Sequence, residues 1–209
     1  MSEYADRGDV VVLALPRGGV PVAYEVARRL GAPLDVFVVR KLGVPGHKEL
    51  AMGAVAPSGA LVLNDDLIAG LGIVERTIDS IVVTELQELA RRERVYRGDR
   101  PPADVHGKTV ILVDDGVATG ASMRAAVAGL RELSPERIII AVPVAAASTC
   151  EELSREGDEV VCPMRPEPFF AVGLWYVDFE QTSDDEVRVL LGTSGRASAA
   201  TETGASERL

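Results

Sequence analysis

The stretch Val110–Ile111–Leu112–Val113–Asp114–Asp115–Gly116–Val117–Ala118–Thr119–Gly120–Ala121–Ser122–Met123 holds the residue types and spacing that point most directly to chemistry. An aliphatic run ends in two adjacent carboxylates, small residues follow, and a helix-forming segment begins. A buried strand of this kind delivers its last residues to the C-terminal edge of a sheet, where open α/β sheets bind ligands. Small residues let backbone N–H groups approach an anion, and a helix N-terminus adds free donors. With the hydroxyls of Thr119 and Ser122, residues 118–122 become a candidate phosphate site. Two carboxylates beside a phosphate would repel it unless they accept hydrogen bonds from sugar hydroxyls or hold a divalent cation. The pattern therefore suggests a sugar phosphate, with hydroxyls on Asp114 and Asp115 and the phosphate on the loop after them. It is not a nucleotide P-loop, because no Gly–Lys–Ser/Thr follows, and no GxGxxG fingerprint is present. The plainer alternative is an acidic strand end with an ordinary turn; the order strand, acid pair, small loop, helix favours the ligand.

The elements that must position these groups alternate along the chain. Val10–Leu15 is a continuous apolar run, as in a strand covered on both faces. Pro16–Arg17–Gly18–Gly19 ends it, Val22, Ala23, Val26, Ala27 and Leu30 recur at helical spacing, and Gly31 caps that helix. Leu34–Val39 reads as a second strand stopped by Arg40–Lys41, so that the chain opens strand–loop–helix–strand. Residues 42–64, rich in Gly and Pro, read as a loop plus a short hairpin with Leu61–Leu63 as its return strand. A long helix is predicted from Val74 to Arg97. Its Arg91–Arg92–Glu93–Arg94 turn suits the helix C-terminus and reads as a solvated end. Strand Thr109–Val113, helix Ser122–Leu133, strand Arg137–Val142, a short helix at Thr149–Ser154 and strand Glu159–Val161 continue the alternation. The predicted fold is α/β, a Rossmann-like parallel sheet flanked by helices, over residues 8–191. Residues 192–209 carry only one aliphatic side chain, Leu209, and read as a disordered tail.

Composition narrows the class. The 209 residues are 47% hydrophobic and 26% charged, enough for one domain with its own core. The net charge of −10 argues against a nucleic-acid partner, which needs a basic face. No apolar run approaches membrane-spanning length, and the polar start lacks a signal-peptide core, so a cytoplasmic protein is expected. Cys150 and Cys162 are too few for a disulfide framework or a zinc site and read as reduced thiols.

Taken with the acid pair, further motifs make the chain similar to the type I phosphoribosyltransferase family over roughly residues 10–180. Asp114–Asp115 with Ala118–Thr119–Gly120–Ala121–Ser122 resembles its signature for phosphoribosyl pyrophosphate. Leu15–Pro16–Arg17–Gly18–Gly19 resembles the pyrophosphate loop, and Arg40–Lys41–Leu42–Gly43 the basic turn before the family's mobile loop. Phe170–Ala171–Val172–Gly173, with Trp175 and Asp178, resembles the hood, here residues 163–182, where an aromatic ring stacks on the base. The resemblance implies ribose hydroxyls on Asp114 and Asp115, the 5′-phosphate on residues 118–122, and pyrophosphate on Arg17, Gly18, Gly19, Arg40 and Lys41. It implies Mg²⁺ bridging pyrophosphate and ribose, held by Asp114 and Asp115 directly or through water and substrate. It also implies a non-proline cis peptide at Pro16–Arg17. The reaction implied is transfer of phosphoribosyl to a nitrogen of a small base with release of pyrophosphate, with a second copy of the chain as a candidate partner.

The sequence departs from the family's pattern in places. Many members carry an acid where Ala118 stands, so the general base is unassigned and Glu49, beside His47 and Lys48, is a weak candidate. The Lys that reads a purine 6-oxo group is replaced by Val142–Pro143–Val144–Ala145–Ala146, so the base specificity does not follow. Phe169, Phe170, Trp175, Tyr176 and Phe179 make up five of the nine aromatic residues. They read equally as a stacking hood or a satellite core. A non-catalytic regulator of the same fold and a hydrolase using water as acceptor stand as alternatives to the transferase.

Overall fold

The computed structural model describes residues 1–192, and for Lys48 and Glu49 the backbone alone. In chain order the elements are β1 (Val10–Ala14), α1 (Gly19–Leu30), β2 (Leu34–Val36), β3 (Arg40–Val44), β4 (His47–Val55), β5 (Leu61–Leu63), α2 (Asp65–Gly70), α3 (Glu75–Arg97), β6 (Thr109–Val113), α4 (Ala121–Glu132), β7 (Arg137–Ala141), α5 (Ala147–Leu153) and β8 (Glu159–Val161). Five strands form one parallel sheet in the order β2-β1-β6-β7-β8. The uninterrupted apolar runs of β1 and β6 follow from burial on both faces, and every residue of each is buried. Val10, Val12 and Ala14 pack with α1 and the end of α3; Val11 and Leu13 pack with α4 and α5. Large side chains at the centre of these two layers, Ile111, Leu112, Leu130, Ile139 and Ile140, are wholly excluded from solvent. Each contributes roughly 1.5–3 kcal/mol of apolar burial.

β1 and β6 are neighbours, yet the chain leaves them in opposite directions, to β2 on one side and to β7 on the other. That reversal opens a crevice at their C-terminal ends, the place where doubly wound sheets hold ligands. The loop after β1 and the loop after β6 are thereby brought face to face.

Several elements differ from the sequence reading. Arg40–Lys41 does not simply stop the second strand; it begins β3, and β3-β4-β5 form a separate antiparallel sheet. The glycines and prolines of residues 42–64 obscure an alternation that buries Leu42, Val44, Met52 and Val55 against the α3 stripe of Ile78, Ile81, Val82 and Leu86. Arg97, three residues beyond the solvated Arg91–Arg94 turn, is buried. Its Nε donates to both oxygens of Asp35 at 2.9 Å, its Nη1 to Glu93 at 2.7 Å, and its Nη2 to the Val36 carbonyl. Asp35 also accepts from the N–H groups of Val36 and Ala103, so the buried pair is fully hydrogen-bonded. Residues 184–192 are helical, where the sequence reading placed no element. The Ser183 hydroxyl accepts from the Glu186 N–H at 3.1 Å, half of a capping box that Ser183-x-x-Glu186 spells out, and Val187 and Leu191 pack in the core. Tyr4 joins the same core layer. Residues 193–209, the bulk of the expected tail, lie outside the described residues. Both cysteines are free and buried. Among the described residues no helix is long and apolar enough to cross a membrane.

Candidate active site

The loop after β1 is laid directly onto the acid pair. The Leu15 N–H donates to the Val113 carbonyl at 2.8 Å, which extends the β1–β6 pairing by one residue. The chain then turns through Pro16–Arg17, whose peptide is cis as the resemblance implies, into the first turn of α1. A Cβ at Gly18 would collide with the Asp115 carboxylate, and one at Gly19 would stand 2.7 Å from the Val113 carbonyl oxygen. The two glycines are thus required by close approach: any side chain would lift the loop off the carboxylates.

Asp114 and Asp115 are half-buried at the end of β6, and the Asp115 N–H donates to Asp114 Oδ1 at 2.9 Å. Burial, reinforced by the charge of Asp115, pushes the Asp114 carboxyl well above the ordinary carboxylate range; the Lys41 ammonium acts in the opposite sense. Burial also raises the Asp115 carboxyl. Two desolvated like charges side by side are costly, and a ligand bearing donors or a cation relieves that cost. Lys41 therefore lies within electrostatic reach of Asp114. Arg40 is engaged elsewhere, its Nε bonded to Glu85 on α3 at 2.7 Å.

Residues 118–122 form the turn from β6 into α4. Val117 bridges to Ala145, Ala118 and Thr119 are exposed, and Gly120 adopts φ +75° immediately before the helix. Ala121 and Ser122 open the first turn of α4, half-buried. The expected phosphate segment is thus a backbone turn at a helix N-terminus on the same sheet edge as the acid pair.

The hood residues divide. Arg17, Gly18, Asp115 and Asp178 share a cavity of about 740 Å³ with Tyr176 and Phe179. Tyr176, which the sequence offered only as one of five clustered aromatics, is the ring that reaches the acid pair: its hydroxyl donates to the Asp115 carbonyl at 2.5 Å. Burial, with the nearby Asp115 and Asp114 charges, pushes its phenol up to about 12. Its ring lies 5.2 Å from that of Phe179. Phe170 and Trp175 are not among the residues lining that cavity; they are 78% and 42% exposed. Irregular backbone with a single 3-10 turn, Val172–Trp175, gives the sequence no periodicity from which to tell which of five rings turns inward. Arg17, half-buried, faces the exposed Asp184 at 3.7 Å, a long, solvent-reached pair of the kind worth little, so the guanidinium can exchange partners at small cost. Glu49, the weak candidate base, has no described side chain.

Among the described residues no cluster of three or more metal-ligating side chains occurs. The donor set of Asp114 and Asp115 is oxygen only, as a hard divalent cation prefers, and suits an ion that takes its remaining ligands from substrate and water.

A family model described as a phosphoribosyl transferase domain matches residues 1–174. Proteins of two Mycobacterium tuberculosis strains, provisionally named phosphoribosyl transferases, are 46% identical over 187 residues, covering 90% of this chain and 42% of theirs. The chain thus spans less than half the length of these curated relatives. The solved structure of TT1426 from Thermus thermophilus is 44% identical, covers 89% of this chain and 88% of that one, and superposes with a TM-score of 0.75. A bifunctional protein PyrR from Chloroflexus aurantiacus is 33% identical over 129 residues, 60% of this chain and 65% of that protein. With the family model spanning most of its length, this chain belongs to the phosphoribosyl transferase domain family.

Proposed function

We propose that the protein transfers a phosphoribosyl group from Mg²⁺-bound phosphoribosyl pyrophosphate to a nitrogen of a small base, releasing pyrophosphate. The observation that carries this reading is the seating of Gly18 and Gly19 on Asp114 and Asp115, which joins an anion loop to a pair of sugar-binding acids at one sheet edge. Asp114 and Asp115 accept hydrogen bonds from the ribose hydroxyls, and the backbone of residues 118–122 with Ser122 takes the 5′-phosphate. Pyrophosphate lies along Arg17–Gly19, where Arg17 gives up Asp184 for it and Lys41 adds charge. As the bond at C1′ breaks, positive charge develops on the ribose. The two carboxylates stabilise it, and Arg17 and Lys41 stabilise the negative charge of the leaving group. Asp114 and Asp115 would hold Mg²⁺ directly or through water, and the bound ion would neutralise charge on the pyrophosphate. The acceptor enters between the sheet edge and the hood, against Tyr176 and Phe179, with Asp178 placed to accept a hydrogen bond from a ring N–H or amine.

Release of pyrophosphate from phosphoribosyl pyrophosphate and Mg²⁺, measured across a panel of bases and with none, tests the reading. Release that depends on one base supports transfer. Equal release with and without any base shows hydrolysis, and absence of release with retained binding shows a regulator.

A further inference from the structure

The loop from Ala118 to Ser122 has a backing that no sequence motif announces. Two backbone carbonyls of this exposed turn are held from behind by side chains. The Thr149 hydroxyl, on α5, donates to the Ala118 carbonyl at 2.8 Å. Arg124 Nη2 donates to the Thr119 carbonyl at 2.9 Å. The Arg124 guanidinium is itself fixed to α5 and the turn beyond it, with Nη1 3.2 Å from Glu152 and Nε 4.0 Å from Glu156. Both side chains pack onto Gly120: a Cβ there would meet Arg124 Nη1 at 2.9 Å and Thr149 Cγ2 at 3.4 Å.

In a planar trans peptide the carbonyl of one residue and the N–H of the next point in opposite directions. Pinning the Ala118 carbonyl toward α5 therefore turns the Thr119 N–H away from α5, and pinning the Thr119 carbonyl does the same for the Gly120 N–H. We infer that Thr149 and Arg124 are positioning residues for the phosphate loop: from α5 and α4 they hold two carbonyls back so that two adjacent N–H groups stay presented to the anion. Without them the exposed carbonyls would find water in many orientations, and the loop would have to be ordered at the moment of binding, at a cost in affinity. Arg124 also places a positive charge behind the turn. This inference rests on the proposal that residues 118–122 take the 5′-phosphate.

Calorimetry with ribose 5-phosphate tests it on the full chain with Thr149→Val, Thr149→Ser and Arg124→Met. Val keeps the shape of Thr and removes the donor; Ser keeps the donor; Met keeps the stem of Arg. Loss of one oriented hydrogen bond should weaken ribose 5-phosphate by about threefold to tenfold in Thr149→Val. Thr149→Ser should bind within about twofold of the natural protein, and Arg124→Met should weaken binding in the same range as Thr149→Val. In the pyrophosphate-release assay KM for phosphoribosyl pyrophosphate should rise while kcat holds, a split that general loosening of the fold would not produce. Should Thr149→Val fail to fold, Arg124→Met and the Ser variant still decide the matter. Ribose 5-phosphate binding by the natural protein with unchanged affinity in the folded variants overturns the positioning role alone. Absence of binding by the natural protein overturns the phosphate assignment and this inference with it.

Discussion

Two parts of the site are built on different principles. At the β1–β6 edge the groups that matter are backbone or lie next to a buried strand end, and Gly18 and Gly19 fit because nothing larger would. In the hood, residues 163–182, one 3-10 turn stands among irregular backbone, and Tyr176 meets the acid pair while Phe170, six residues earlier, is left in solvent. The first region is set by strand register and steric exclusion. The second is set by which side chain the irregular backbone happens to turn inward. Handling of the sugar pyrophosphate should therefore be intolerant of substitution, whereas the acceptor side should be tolerant.

The largest expected effect lies at the acid pair. Asp114→Asn with Asp115→Asn keeps size and removes charge. Loss of two charge-assisted hydrogen bonds should weaken binding of Mg²⁺-phosphoribosyl pyrophosphate by roughly a hundredfold or more, read by calorimetry. Unchanged binding would move the sugar site elsewhere. Next comes Gly18→Ala, which forces the loop off Asp115 and should raise KM for phosphoribosyl pyrophosphate by roughly tenfold or more, since a displacement near 1 Å is costly to a positioned substrate.

Asp114→Asn alone should do something opposite in the ligand-free protein and raise Tm at pH 7 by about 2–4 °C, the shift that roughly 1 kcal/mol gives a chain of this size. The sign follows from protons bound. Burial raises the folded pKa of Asp114, so the folded state holds its proton more tightly than the unfolded state does. Stability from this group is full below the unfolded pKa and falls as pH rises toward the folded one. Asn removes that slope, so the gain in Tm should shrink as the pH is lowered through the raised pKa; a Tm difference that ignores pH would refute this cause.

The smallest effects belong to the hood. Tyr176→Phe removes the donor to the Asp115 carbonyl and should raise the acceptor KM by about threefold. Phe170→Ala should leave both substrates within about twofold, because the ring is 78% exposed. A tenfold loss in Phe170→Ala would mean that the hood closes onto the base by turning a different ring inward, and the contrast between the two regions would collapse.

The legibility of the sequence follows the same division. β1, β6 and the acid pair could be read because unbroken aliphatic runs followed by small residues or glycines have one economical arrangement, a buried parallel strand ending at a loop. The antiparallel sheet was legible only as a short hairpin returning through Leu61–Leu63; β3 was missed because Gly43 and Gly53 interrupt the strands, and Pro45–Gly46 the turn between them, where the alternation buries Leu42, Val44 and Met52. Helical residues 184–192 announced themselves only through the Ser183–Glu186 cap. Of the two cations expected at the pyrophosphate loop's neighbour, Lys41 acts on Asp114 while Arg40 is taken by Glu85, one side chain apart on a strand and so facing opposite ways. Thr149 left no signal, because its partner is a backbone carbonyl 31 residues away.

Trp175 is the only tryptophan in the chain, and it adjoins the tyrosine that touches the acid pair while itself remaining 42% exposed. The molecule therefore carries a single indole, on the hood proposed to face the acceptor, and excitation selective for tryptophan reads that segment alone. Titrating sugar pyrophosphate and base in turn, and following wavelength and quenching by iodide, gives an optical record of when the hood is covered, without a label and without turnover.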